Sequence, residues 1–552
     1  MSVSEPGRST RRWLPTALGG AAVAALVWTS TLPGAWGPGS SGGQEDASGP
    51  AGTSAGEGQA PAFVEDAALA CAGVEGLTGQ ASAAVAPQEL VSATGDGEGR
   101  LRVLSGGSVA DQVSLPSAGA ATAALDAGGS ALITATGSAV PGLVAGQLLV
   151  GTGGGADPAS PTGDEQEAAP TPAARGLALS GCVEPGEEHW LLAGGAAPGR
   201  TESLVLTNPG ADPVRVDLEL RGQDGPAEVT GGAGLVVPPD DQLAVPVDAL
   251  AAGVEAPALG VSAEGGPVAA QLVETVRDGT TDLGLSISSP SAAPARDLVV
   301  PAVPGDVERQ DLVLRVLAPD GPAVVELVAL TEAGAATPEA AAVRVEAGST
   351  TDVPLEGLPE GPVGLRLRSD APVTASLQVR VAPSGDDPIE ADAAASTDDQ
   401  AASTDDAASS SAPPSEDGTT VVRPAGDLTW LPSTALSAQP VGAAVPAAEV
   451  PDARWELSLT VLDATTAQVL LLSEDAGVST RTVELAHDSS TVLDLPQGTA
   501  AVWVRPAEVD LPPVSAALHV TGQDELGPYR AATTLRPVPW TRAVADVSSV
   551  IP

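Results

Sequence analysis

Apolar residues recur at every second position over long stretches of this chain, and short polar or Pro/Gly runs interrupt them. Residues 202–220, ESLVLTNPGADPVRVDLEL, show the pattern in full. Leu204 and Leu206 fall on one face of a predicted strand; Val214, Val216, Leu218 and Leu220 fall on one face of the next. TNPGADP between them supplies turn chemistry: Asn for a side-chain cap, Pro for a fixed φ, Gly for conformational freedom. The same order of strand, Pro/Gly turn and strand recurs at 312–330, LVLRVLAPDGPAVVELVAL, with different turn residues. What repeats is a requirement of the fold.

A second pattern occurs four times. Val, a small residue and Leu alternate in Val144-Gly146-Leu148, Val268-Ala270-Leu272, Val373-Ala375-Leu377 and Val514-Ala516-Leu518. Each predicts a strand with the same inward triplet, whose small centre admits a side chain from an opposing sheet. The segments before the last three, ALGVSAEGGP, VGLRLRSDAP and AAVWVRPAEVDLPP, predict a strand and turn forming a hairpin with the triplet strand. Earlier still, LVVPPDDQLAVPV, VRVEAGSTTDVPL and VELAHDSSTVLDL each predict strand, polar turn, strand. The expected fold is all-β, with tandem immunoglobulin/fibronectin-like β-sandwich domains after an N-terminal membrane or signal segment. The domains are expected at 61–193, 194–293, 294–382 and 421–552, the first being the most divergent. A propeller fits less well, because these repeats exceed a blade of about 40–50 residues.

Other stretches have no apolar period. Residues 37–60 are Gly, Ser, Ala and acid and predict a disordered stalk. Residues 151–176 predict a flexible excursion inside the first unit. At 383–420, where ASTDD stands at 395–399 and again at 402–406, an acidic disordered linker is expected. Calcium capture by its paired Asp residues is the alternative, but the Gly-containing spacing of a calcium loop is missing. At the other extreme, Arg8, Arg11 and Arg12 precede the uncharged WLPTALGGAAVAALVWTSTLP. Residues 1–36 therefore predict, ahead of a buried soluble helix, either a cleaved export signal or a retained single anchor. Both place the rest of the chain outside the cytoplasm.

Charge narrows the partners. Asp and Glu total 71 against 24 basic residues, for a net charge of -47, and no Lys occurs. Such a field disfavours nucleic acid and anionic membrane surfaces. The only cysteines, Cys71 and Cys182, lie in the part expected to be exported, so a disulfide is predicted, with free thiols or a two-thiolate metal site as alternatives.

Few residues carry recognisable chemistry. A metal set of His189, Glu187, Glu188 and Cys182 has workable spacing but competes with the disulfide for its thiol. His487, Asp488 and Ser489 are chain neighbours and cannot by themselves form a nucleophilic relay. His519 is expected on the half-exposed face of its strand. The aromatic residues Trp455, Trp503 and Trp540 gather in the last unit as a candidate binding surface, with core packing as the competing reading. The glycines form no phosphate loop or dinucleotide fingerprint, so no catalytic, metal or cofactor-binding residue is assigned and no cofactor is expected.

GLALSGCVEPGEEHWLLAGG followed by SLVLTNPGADPVRVDLEL, together with VVPPDDQLAVPVDAL, GGPVAAQLVETVRDG and DLVVPAVPG, resembles the secreted actinobacterial family catalogued as domain of unknown function 5719. The resemblance implies an exported, envelope-associated protein and transfers no catalytic residue. The expected function is a non-enzymatic cell-envelope scaffold or interaction protein, with an envelope protein or a cell-wall polymer as partner. The alternatives are carbohydrate binding through the aromatic residues of the last domain, and an envelope hydrolase with unidentified carboxylates.

Overall fold

Strands account for nearly all of the regular structure, as the alternation requires. The computed structural model describes residues 62–542 except 88–89, 92–95, 117, 127, 152, 154–174, 251, 280, 306–309, 383–424, 448–449, 509 and 540. The expected anchor, the stalk and nearly all of both linker segments lie outside the described residues. Within them, the helical turns are Gly137–Ala139 and Val247–Leu250, and no helix is long and apolar enough to cross a membrane. All belong to one compact unit, Ala60–Pro552.

Four sandwiches share one plan of eight strand positions. In the second sandwich these are Glu188–Leu191, Arg200–Asn208, Val214–Gly222, the short pair Gly225–Ala227 and Leu235–Val237, Asp241–Pro246, Ala258–Glu264, Ala269–Asp278 and Thr281–Ser288. One sheet has the order 1-6-3-4 and the other 5-2-7-8, all antiparallel. The first sandwich, from Asp66–Cys71 to Gly176–Gly181, and the fourth, from Val441–Ala444 to Gly527–Thr534, repeat this order. In the third, positions 6 and 7 are the two halves of one long strand, Val363–Val381. An immunoglobulin sandwich instead places positions 1, 2, 4 and 5 together against 3, 6 and 7. The all-β reading holds, and the strand partition is a different one.

The expected hairpins are not hairpins. Positions 6 and 7 lie in opposite sheets, as do 2 and 3, and 4 and 5. Alternation and turn residues mark where a strand reverses, but not whether it returns to the same sheet or crosses to the other. The turn chemistry itself is as expected. Asn208 is buried, donates from Nδ2 to the carbonyl of Asp212 at 2.8 Å, and accepts from the amide of Gly210 at 2.9 Å.

The boundary expected after residue 382 falls one strand early. Asp427–Pro432, beyond the acidic segment, pairs with Val363–Val381 and supplies position 8 of the third sandwich. Residues 152–175 likewise join position 7 to position 8 of the first sandwich. Both low-complexity segments are thus insertions at the same loop of the repeat.

Each sandwich has its own apolar core, and each core is completed by its neighbour. Leu285 and Ile287, in the eighth strand of the second sandwich, join the core of the first. Leu428 and Trp430 of the third enter the core of the second, and Ala532 of the fourth enters that of the third. Leu177 and Leu179 of the first close the cycle by entering the fourth. The eighth strands pack side by side, first on second, second on third, third on fourth and fourth on first. The four sandwiches therefore form a ring around these four strands. Ala62–Phe63 pairs with Thr541–Arg542, so the two ends of the described chain are joined by hydrogen bonds.

This arrangement explains a slip in the triplet reading. In the first sandwich Ala145 and Leu149 face the home core, while Leu148 of the expected triplet faces the fourth sandwich. Both faces of that strand are apolar because both are buried, so alternation does not reveal which face is inward.

Candidate functional site

The central axis of the ring gathers residues from all four sandwiches. At one end stands Asp427, fully buried at the start of the third eighth strand. Its carboxylate accepts four backbone N–H bonds, one from each axial strand. The donors are Leu177 at 3.1 Å, Leu285 at 3.3 Å, Leu428 at 2.9 Å and Arg530 at 2.9 Å. The residue before each donor is Gly176, Gly284, Asp427 itself and Tyr529. The two glycines leave room for the carboxylate: a Cβ on Gly284, whose φ is +131°, would lie 2.8 Å from Asp427 Oδ1. Burial pushes the Asp427 pKa up to about 7, against the four N–H donors that favour the charged form.

Next to it, the buried Arg175 ties the first sandwich to the fourth. Its Nη2 donates to Asp524 Oδ1 at 2.7 Å and to the carbonyl of Gly527 at 2.6 Å. The guanidinium lies over the Tyr529 ring at 3.8 Å, and the Tyr529 hydroxyl donates to Asp524 at 2.8 Å.

At the other end, where the axial strands finish, lies a cavity of about 330 Å³. The segments that leave the four eighth strands meet around it: Gly181 and Cys182, Pro290–Ala293, Ser433–Ala435, and Thr534 with Arg536–Pro539. The lining is mostly apolar, and its two charged residues are Glu184 and Arg536. Arg536 donates from Nη2 to the carbonyl of Pro290. Burial lowers the Arg536 pKa to about 10, and the charge of Glu184 opposes that shift.

The structure separates the residues singled out in the sequence. Cys71 and Cys182 form a disulfide, which joins the first and last strand positions of the first sandwich beside the cavity. The thiol of the His189 metal set is therefore absent; His189 Nε2 instead contacts the carbonyl of Val268 at 2.7 Å, and burial lowers its pKa. Among the described residues no group of three or more His, Cys, Asp and Glu could hold a metal ion. Ser489 Oγ donates to the carbonyl of Ala486 and makes no bond to His487.

Two further expectations are corrected. His519 is fully buried, 3.0 Å from Ser458 Oγ, because its strand has a neighbour on both faces. Trp503 is also fully buried: its indole donates to the carbonyl of Gly142 at 2.8 Å, and its ring joins an apolar cluster shared by the first and fourth sandwiches. It is an interface residue, not part of a recognition surface. Trp455 is half-buried against the fourth core, and Trp540 lies outside the described residues.

Asp427, Glu184 and Arg536 escaped the sequence reading. Asp427 is one of 71 acidic residues, and nothing around it distinguishes it. The Gly residues at matching positions of the first two eighth strands were the only local signal.

The family model described as a family of unknown function, DUF5719, matches residues 134–427, more than half of the 552 residues. The matched span opens in the sixth strand of the first sandwich and ends on Asp427. No curated protein and no solved structure matches the chain.

Proposed function

This chain belongs to the family of unknown function DUF5719, and on that premise we propose that it is a non-enzymatic, exported scaffold or interaction protein of the cell envelope. The observation that carries the reading is where a set of buried polar groups goes: Asp427, Arg315 and Trp430 join one sandwich to the next. Asp427 binds all four axial strands. Arg315 pairs with both carboxylate oxygens of Asp352 at 2.8 Å and donates to the carbonyls of Gly194 and Pro257, both in the second sandwich. Trp430 of the third sandwich donates to the buried Glu274 of the second at 2.7 Å. Such groups fix relative orientation, which a platform requires. The disulfide favours an oxidising compartment.

The periphery offers the contact surface. Position 4 is an edge of its sheet, and Ser108–Leu115 and Val478–Leu485 are largely exposed. An uncovered edge of this kind can accept a strand from a partner. With Trp503 buried, the carbohydrate reading keeps little aromatic surface. A photo-crosslinker placed at Val109 or Val478 of the full chain in cells is expected to capture the same envelope protein in repeated experiments. Failure to capture any repeatable partner from either position would overturn the proposal.

A further inference from the structure

The interior of the axial cavity is not filled by the contacts that hold the sandwiches together. We propose that it binds a small zwitterion with an apolar body, the chemistry of a free apolar amino acid. A volume of about 330 Å³ falls within the range of small-molecule sites, roughly 300–1,000 Å³. Leu143, Ala145, Ala292, Ala443 and Val538 form an apolar wall. Pro290, Pro537 and Pro539 border it with restricted backbone, so little ordering is left for a ligand to impose.

The two charges specify the ends of the ligand. A guanidinium has five N–H donors, and that of Arg536 has one hydrogen-bond acceptor among the described residues, the carbonyl of Pro290. Glu184 lines the same cavity, yet no ion pair within 4.0 Å joins it to Arg536. A ligand carboxylate gives Arg536 charge-assisted bonds, and a ligand ammonium gives Glu184 the same. A simple anion would meet Glu184 as a like charge, and a simple cation would meet Arg536. A zwitterion satisfies both and adds no charge to a protein of net charge -47.

Titration calorimetry of the full chain with L-leucine, L-phenylalanine, N-acetyl-leucine and leucinamide tests the site. A free amino acid is expected to bind, with both charge-deleted derivatives at least about tenfold weaker. Arg536→Gln and Glu184→Gln are each expected to weaken it about tenfold. Glu184 is exposed, so its variant keeps the fold even where Arg536→Gln does not. Ala435→Trp, at the exposed rim, is expected to abolish binding with an unchanged melting temperature. The site is refuted by silence with both amino acids, by N-acetyl-leucine binding as tightly as leucine, or by Glu184→Gln binding as the parent does.

Discussion

A Cβ built on Gly176 would lie 2.6 Å from the backbone nitrogen of Leu285, in the adjacent eighth strand. It would also lie 3.0 Å from Asp427 Oδ1. Neither neighbour is the free end of a flexible side chain, so Gly176→Ala forces two axial strands apart. The expected cost is about 1–3 kcal/mol, typical of overpacking, read as a lower urea midpoint. An unchanged midpoint would show that the strands do not meet as described.

Two buried groups give stability opposite dependences on pH. Asp427 has a folded pKa of about 7, above an unfolded value of about 3.9. The folded state therefore binds the proton more tightly. This contribution is full below about pH 4 and is lost as pH rises through about 7, by on the order of 4 kcal/mol in all. Asp427→Asn is expected to remove that decline when urea midpoints are compared with the parent protein across the window.

His519 acts in the other direction. Burial, reinforced by the charge of Arg530, holds its pKa well below 6.5. The fold keeps it neutral, so its contribution is present above pH 6.5 and is lost on acidification through the folded pKa. His519→Gln is expected to flatten the acid side of the same profile, and an unaltered acid limb would remove His519 as its cause.

The disulfide closes a span of 111 residues, for which chain entropy gives an upper figure of about 4–5 kcal/mol. Reduction of the intact protein is expected to add the mass of two hydrogens and lower the melting temperature. Absence of the mass change would reject the bridge.

Unfolding is expected as a single transition despite four sandwiches, because each core contains side chains of its neighbour. Trp503→Ala is expected to destabilise the whole ring by about 3–5 kcal/mol, typical for a buried Trp. Resolved transitions in calorimetry would mean that the sandwiches are independent.

Much of the fold was written in the local pattern. The alternation at Leu204, Leu206, Val214 and Val216 gives strands, and all four residues are buried. The Val268, Val373 and Val514 triplets identify the seventh strands of three sandwiches. What failed to show depends on residues distant in sequence. Leu148 and Trp503 look like ordinary core positions of their own units, and only the ring brings another sandwich against them. The Asp427 carboxylate needs amides from residues 177, 285 and 530, a convergence that no spacing in the chain announces. Glu184 and Arg536 are 352 positions apart and share a cavity for the same reason.

The packing of each eighth strand into a neighbouring core also sets an order on assembly. A ribosome delivers the chain from its amino end, and the core of the first sandwich lacks Leu285 and Ile287 until most of the second has emerged. The second waits for Leu428 and Trp430, and the third for Ala532, while the fourth finds Leu177 and Leu179 already made. A chain halted after the first sandwich and before residue 532 therefore leaves an apolar seam open to water. Such a seam marks the product as unfinished, so truncated chains are natural targets for chaperones and proteases.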